Sequence, residues 1–342
     1  MTITRRLFAG LAAAAIGAAA SAQEVTLRLH QFLPAQANVP ANILDVWADR
    51  VEADSNGRIK IDRFPSMQLG GTPPQLIDQV IDGVADIVWT LPGYTPGRFP
   101  QLEVFELPFI SPDAEATSRA FWDLAEERMM ESDFAAFKPL GLWVHGPGVI
   151  HANRPVAAIA DLEGLKLRGP TRVITNLLTD LGATAVGMPV PAVPEALSRG
   201  VIDGAVIPWE VAPSIRVQEL VTNHTEFAGE ALYAATFILA MNTNSYNALP
   251  DDLKAVIDAN SGLEFSAFAG RTQQAGDADA RALAAAAGNL IITLTPEQTA
   301  PWRDAAAATT AAWIAEADAA GIDGTGLYTA ATALIAKHAG TD

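Results

Sequence analysis

Cysteine does not occur among the 342 residues. Disulfides and thiolate metal sites are thereby excluded, and stability must come from the core. Histidine occurs only five times, with no His-x-x-x-His or comparable spacing, so a zinc site is not indicated. Cations are scarce as well: 22 Lys+Arg stand against 39 Asp+Glu, a net charge of −17. That balance argues against nucleic acid and anionic membrane surfaces as partners. It does not exclude an anionic ligand, because a site needs only local positive charge. No Gly-x-Ser-x-Gly elbow is present, and Gly146-Pro147-Gly148 is only a fragment of a dinucleotide loop. Acidic residues are too numerous for any pair to be read as an acid–base couple. Asp277 and Asp279 fall in an alanine-rich helical stretch, where a solvated face is the plainer account. No enzyme chemistry is legible, and no cofactor is required.

What is present begins with an export leader. Arg5 and Arg6 precede an apolar, alanine-rich stretch from Leu7 to Ala20, and Ala20-Ser21-Ala22 offers the small residues of a cleavage site. The apolar run is shorter than the roughly 20 residues a bilayer span needs, and no later segment is long and apolar enough. Residues 1–22 are therefore expected to be removed after Ala22 during export. The paired arginines leave both the general and the twin-arginine routes open. The remaining residues carry 20 Lys+Arg against 39 Asp+Glu. Their number exceeds one typical core, so two lobes are expected.

Strand and helix patterns alternate along both halves. Val25 to Phe32 and Ile59 to Phe64 alternate apolar and polar residues, whereas Asn38 to Ala53 places Val39, Ile43, Val46, Trp47 and Val51 at helical spacing. Pro73 and Pro74 open a helix, and Ala85 to Leu91 reads as a short buried strand. The pattern restarts with a strand at Leu165 to Arg168, a helix that Thr171 can cap, a helix at Ala192 to Arg199, and strands at Val201 to Ile207 and Leu290 to Leu294. Strands separated by helices imply an α/β fold with mainly parallel sheets covered on both faces. Residues 72–89 and 189–206 echo each other: prolines, a helix, Gly-x-x-Asp (Gly83 to Asp86, Gly200 to Asp203), then an apolar strand. The glycine can end each helix in a left-handed conformation, and the aspartate can accept from turn amides. Helix–Gly–strand junctions are common in α/β folds. Two similar lobes facing each other would also produce the echo, with ligand beyond the carboxyl ends of both junction strands.

The order and spacing of several segments resemble one family. They are Gly57-Arg58-Ile59-Lys60-Ile61 with Phe64-Pro65 and Gln68-Leu69-Gly70, then Asp161-Leu162-Glu163-Gly164-Leu165-Lys166-Leu167-Arg168. Glu195-Ala196-Leu197 through Gly200-Val201-Ile202-Asp203-Gly204 follows, with Met241-Asn242, Tyr246 and Leu249-Pro250. Together they are similar to the substrate-binding receptors of tripartite ATP-independent periplasmic (TRAP) transporters, dicarboxylate-receptor type. The resemblance implies a two-lobed periplasmic binding protein with mixed, mainly parallel sheets, crossing hinge strands and a long helix spanning both lobes. It implies ligand capture in the cleft, hinge closure, and delivery to the integral membrane subunits of a TRAP transporter. The lobes are placed at 23–143 with 234–262, and at 144–233 with 263–342. A binding protein for an ATP-driven importer or a sensor would use the same capture chemistry. Some relatives hold a metal ion beside the ligand, and nothing in this sequence demands or forbids one.

The resemblance also assigns the anchor. Arg168 stands where the family's arginine pairs with a ligand carboxylate, and a guanidinium suits that role by its planar fork and persistent charge. Many members carry a second arginine shortly before the position of Asn153; here Pro147 to Ala152 contains none. Many place an asparagine before the proline after Gly-x-x-Asp-Gly; here Ile207 stands there. A second carboxylate or many hydroxyls would be costly to bury against such a lining. Aromatic residues take their place: Trp89, Trp143 and Trp209 lie at expected strand ends, with Tyr94 and Phe237 as further candidates. His30, Gln31 and His145 could hydrogen-bond the ligand, whereas Trp47 and Trp122 are assigned to the core. The expected ligand is a monocarboxylate with an apolar or aromatic body; C4-dicarboxylates and sugar acids are the alternative.

Overall fold

The computed structural model describes residues 23–340, so the expected leader at 1–22 lies outside the described residues. In chain order the strands begin β1 (Val25–His30), β2 (Ile59–Phe64), β3 (Ile87–Thr90), β4 (Lys138–Val144), β5 (Gly148–Ala152) and β6 (Lys166–Gly169). They continue β7 (Thr184–Gly187), β8 (Gly204–Pro208), β9 (Asn223–Phe227), β10 (Thr236–Met241) and β11 (Leu290–Leu294). They form two mixed sheets, ordered β2-β1-β3-β10-β4 and β11-β9-β5-β8-β6-β7. β1 runs parallel to β2 and β3, and β6 runs parallel to β7 and β8, while β4, β5 and β10 pair antiparallel. The chain passes from the first sheet to the second between Val144 and Gly148, and returns between Phe227 and Thr236.

Local chemistry explains most element boundaries. Leu27, Leu29, Ile59 and Ile61 bury alternate positions of β1 and β2. The segment read as one helix over 38–53 is a π-helical turn at Pro40–Leu44 followed by an α-helix at Asp45–Asp54, which buries Trp47, Ala48 and Val51. Both echo motifs do one job, and it differs from turn capping. Gly83 (φ +73°) and Gly200 (φ +67°) end their helices in the left-handed region. Asp86 then accepts from the Arg28 amide in β1 at 2.9 Å, and Asp203 from the Lys166 amide in β6 at 2.9 Å. Each aspartate thus ties its strand to the parallel neighbour that carries a cleft wall.

The C-terminal helices do not stay on one side. The helices Leu263–Ala275 and Gly324–Ala339, both within the segment assigned to the second lobe, pack against the helix Ala114–Arg128 beside the first sheet. Gly270 permits that crossing: a Cβ there would sit 2.3 Å from Ser118 Oγ and 2.6 Å from the Ala114 carbonyl. Below Leu263–Ala275 the chain bends at Gly276 into the helix Asp277–Ala286, which packs on the segment Trp209–Ile215 after β8. No helix among the described residues is long and apolar enough to cross a membrane.

Candidate ligand site

The carboxyl ends of β1, β3, β4, β6 and β8 converge on a cavity holding about 380 Å³ of empty space, part of it open to solvent. Phe32 and Leu33 enter from the loop after β1, and Trp89, Leu91 and Tyr94 from β3 and its extension. Arg168, Ile207 and Glu210 come from the second sheet, while Tyr233 and Phe237 flank the start of β10. Such a mostly apolar pocket with a few convergent polar groups is a typical small-molecule site.

Arg168 is the cation of this cavity. Its β6 strand lies between β7 and β8, and the side chain is only 2% exposed. Nε donates to the Met188 carbonyl at 2.8 Å and Nη1 to the Val206 carbonyl at 3.1 Å, which fixes the plane of the guanidinium. The Tyr94 hydroxyl accepts from Val190 N at 3.0 Å and lies against the same guanidinium. Arg168 forms no ion pair with an acid among the described residues. Burial pulls its pKa down, and the nearby Tyr94 and Tyr233 oppose that pull. A buried charge without a counter-ion is costly to keep, so the site is electrostatically set for an anion.

The aromatic candidates divide. Trp89 and Phe237 line the cavity, but Trp89 is already stacked on Phe32 (4.5 Å between centroids) and on Phe237 (5.3 Å). Its flat faces are spent within the protein, and its buried indole N–H has no partner among the described residues. Trp143 does not reach the cavity. It backs the stack, near-parallel to Trp89, and donates Nε1–H to Gln273 Oε1 at 2.7 Å. Trp209 also points elsewhere: it packs against His151 and His224 and donates to Glu226 at 3.1 Å. Strand alternation would have kept it on the side of Ile207, but a 3-10 turn begins at Trp209 and breaks the parity.

The polar candidates are mostly occupied by the fold. His30 is buried outside the cavity, with Nδ1 bonded to Gln79 at 2.7 Å and Nε2 accepting from Leu69 N at 3.3 Å. Gln31 spends both ends of its amide on Leu33, fixing the loop that presents Phe32 and Leu33. His145 lines the cavity, yet Nε2 accepts from Ala235 N at 3.0 Å and Nδ1 is bonded to the Gly146 carbonyl. Burial pulls its pKa down to about 4, so a neutral ring is presented. Asp277, read from sequence as solvated, turns inward to accept from the Glu210 amide at 2.9 Å.

Tyr233, Phe32, Glu210 and Gln273 also line the cavity and escaped the sequence reading. The Tyr233 hydroxyl is buried with no partner among the described residues, and burial pushes its pKa up. Its ring lies flat on Gly148, where a Cβ would stand 2.0 Å from Cε1. Gly148 thereby leaves the room that the Tyr233 ring occupies. Among the described residues no group of three or more His, Cys, Asp or Glu side chains could hold a metal ion.

Comparison with known proteins decides the family. The model of the DctP family, bacterial extracellular solute-binding protein family 7, matches residues 32–316. The chain belongs to this family. Its members are solute receptors rather than catalysts; they capture small organic acids and deliver them to the membrane subunits of TRAP transporters. A TRAP solute-binding protein from Rhodoferax ferrireducens, in complex with copurified benzoate, is similar at a TM-score of 0.91 and 52% identity, over 92% of this chain and 99% of that one. A marine-metagenome TRAP receptor specific for aromatic acids, with 3-hydroxybenzoate, matches at a TM-score of 0.90 and 47% identity, again over 92% and 99%. The ectoine/5-hydroxyectoine-binding periplasmic protein of Ruegeria pomeroyi is 27% identical over 90% of this chain and 91% of its own length.

Proposed function

We propose that this DctP-family receptor binds an aromatic monocarboxylate, with Arg168 as its anchor. The observation that carries the reading is a buried guanidinium, without an acid partner among the described residues, in a mostly apolar cavity with several aromatic walls. Arg168 and the free Tyr233 hydroxyl receive the carboxylate. Phe32, the Trp89 edge, Phe237 and Ile207 enclose the ring, and Tyr94 holds the guanidinium in place. A second carboxylate would meet no second cation, since Arg168 is the only Lys or Arg lining the cavity among the described residues. The bound benzoate and 3-hydroxybenzoate of the two similar structures support this choice. The receptor works outside the cytoplasmic membrane after loss of residues 1–22, and performs no chemistry on its ligand. Residues 23–143 with 234–262 form one wall of the cleft and 144–233 with 263–342 the other, apart from the C-terminal helices that pack back on Ala114–Arg128.

Calorimetry of the mature protein against benzoate, succinate and galactonate tests the reading. Tight benzoate binding with no heat from the other two is expected; tight succinate binding alone would overturn it. Arg168→Lys keeps the charge but loses the fork, and its affinity should fall by about a hundredfold or more, as loss of buried charge-assisted bonds predicts. Unchanged affinity in that variant would place the anchor elsewhere.

A further inference from the structure

The cavity has a second polar group besides Arg168. Glu210 interacts with Gln273, Asn38 and Asp277. It lines the same cavity, is only 6% exposed, and receives Gln273 Nε2 on Oε1 at 2.8 Å. Its other oxygen, Oε2, is buried and has no hydrogen-bond partner among the described residues. Gln273 is itself fixed, because its Oε1 takes the Trp143 indole N–H at 2.7 Å. The backbone adds to the constraint: a Cβ on Gly276 would stand 3.1 Å from the Glu210 Cβ. A buried polar atom without a partner among the described residues thus belongs to a residue lining a cavity whose other walls are mostly apolar and aromatic.

We propose that Glu210 forms a hydroxyl-recognising subsite in the cavity that Arg168 lines, so that the receptor selects hydroxylated aromatic monocarboxylates over unsubstituted ones. This rests on the aromatic-acid reading and narrows it. The chemistry of the substituent follows from the surroundings. A second carboxylate would lie beside both Glu210 and Asp277, two acids that burial already pushes up to about 8 and about 7. An ammonium would place a second cation in one small cavity with Arg168. A hydroxyl carries no charge, and it can accept from the protonated carboxyl or donate to its free oxygen. A buried hydrogen-bonding group left unpaired by the wrong ligand is what makes such discrimination large.

Titration calorimetry of the mature protein with benzoate, the three hydroxybenzoates and the three methylbenzoates tests this. One hydroxybenzoate should bind about tenfold or more tighter than benzoate and than its methyl counterpart of the same shape. Glu210→Met should remove that preference, and Glu210→Gln, which keeps polar atoms in place, should retain it. Equal binding of benzoate and every hydroxybenzoate, or a preference that survives in Glu210→Met, would overturn the subsite and leave the aromatic-acid reading standing. Failure of all the aromatic acids to bind overturns that reading itself, and the subsite with it. The hydroxyl-to-methyl comparison uses the unaltered protein, so it decides the matter even where Glu210→Met does not fold.

Discussion

Burial acts on Arg168 and Glu210 in opposite senses, and both effects favour an anionic ligand. It leaves Arg168 a charge without a counter-ion, and it pushes the Glu210 carboxyl up to about 8, so that the group is mostly neutral at pH 7. The elements packed around Glu210 present Gln273, Asn38 and Asp277, and only Asp277 among these is acidic. Ionisation of Glu210 therefore adds negative charge to a cavity that already takes an anion. The sign follows directly: the competent form is protonated, so affinity is full below the Glu210 pKa and falls as pH rises through it. Benzoate Kd should weaken by about fivefold between pH 7 and 9 for one pKa unit of coupling. Binding near pH 8 should take up a proton, seen as a buffer-dependent calorimetric heat. Glu210→Gln should flatten most of this profile, leaving only the part owed to Asp277. A wild-type profile flat over the same range would show that Glu210 does not face the bound anion. Glu210 carried no signal in the sequence. A glutamate after Pro208-Trp209 looks like any surface acid, and its burial is decided by Leu263–Ala275, more than fifty residues away.

Elements explain which parts of the site were legible. Arg168 and Ile207 lie on strands whose alternation and Gly-x-x-Asp punctuation are written locally, and both line the cavity. Trp209 fails one residue beyond a strand end, because strand parity cannot be extended across a turn whose start depends on tertiary packing. His30, Gln31 and His145 are polar residues at strand ends, but Gln79 on the helix Leu76–Ile81 and Ala235 before β10 are partners brought in by tertiary packing, while Gln31 turns back onto Leu33 two residues away. Gly148, the first residue of β5, is the instructive case. Its missing side chain admits Tyr233, so Gly148→Ala should cost about 1–3 kcal/mol of stability through overpacking and also weaken binding by displacing the phenol. Tyr233→Phe separates the two effects. It removes a hydroxyl without a partner among the described residues, so the melting temperature should hold or rise while benzoate affinity falls by about tenfold. Equal benzoate affinity in Tyr233→Phe would assign the hydroxyl no share in binding the carboxylate.

At the scale of the whole molecule the two sheets are joined by side chains as well as by the crossing strands. Glu106, in the turn Leu102–Glu106, accepts from Thr236 N at 3.1 Å and Thr236 Oγ1 at 2.8 Å in β10, and from Thr171 Oγ1 at 2.6 Å just after β6. Thr171 was expected to cap its helix; its hydroxyl is instead committed to this bridge, and no side-chain cap bond forms. Glu103 on the same turn takes Arg172 Nη2 at 2.6 Å and the Trp313 indole at 3.1 Å. Gly93 makes the approach possible, since a Cβ there would lie 2.4 Å from the Thr171 methyl. These contacts hold the first-sheet turn against the helix that follows Arg168, and a hinge opening of the kind the family resemblance implies would have to break them. Thr171→Val keeps the shape of the side chain and removes only its hydroxyl. One net hydrogen bond is worth about 1 kcal/mol, so an open–closed equilibrium should shift by about fivefold toward open. Ligand dissociation should quicken by a similar factor in stopped-flow traces, with little change in melting temperature. Small-angle scattering should show a larger radius of gyration for the ligand-free variant than for the unaltered protein. An unchanged dissociation rate would mean that closure draws nothing from the Glu106–Thr171 bond, and that Arg168 and the aromatic stack hold the ligand by themselves.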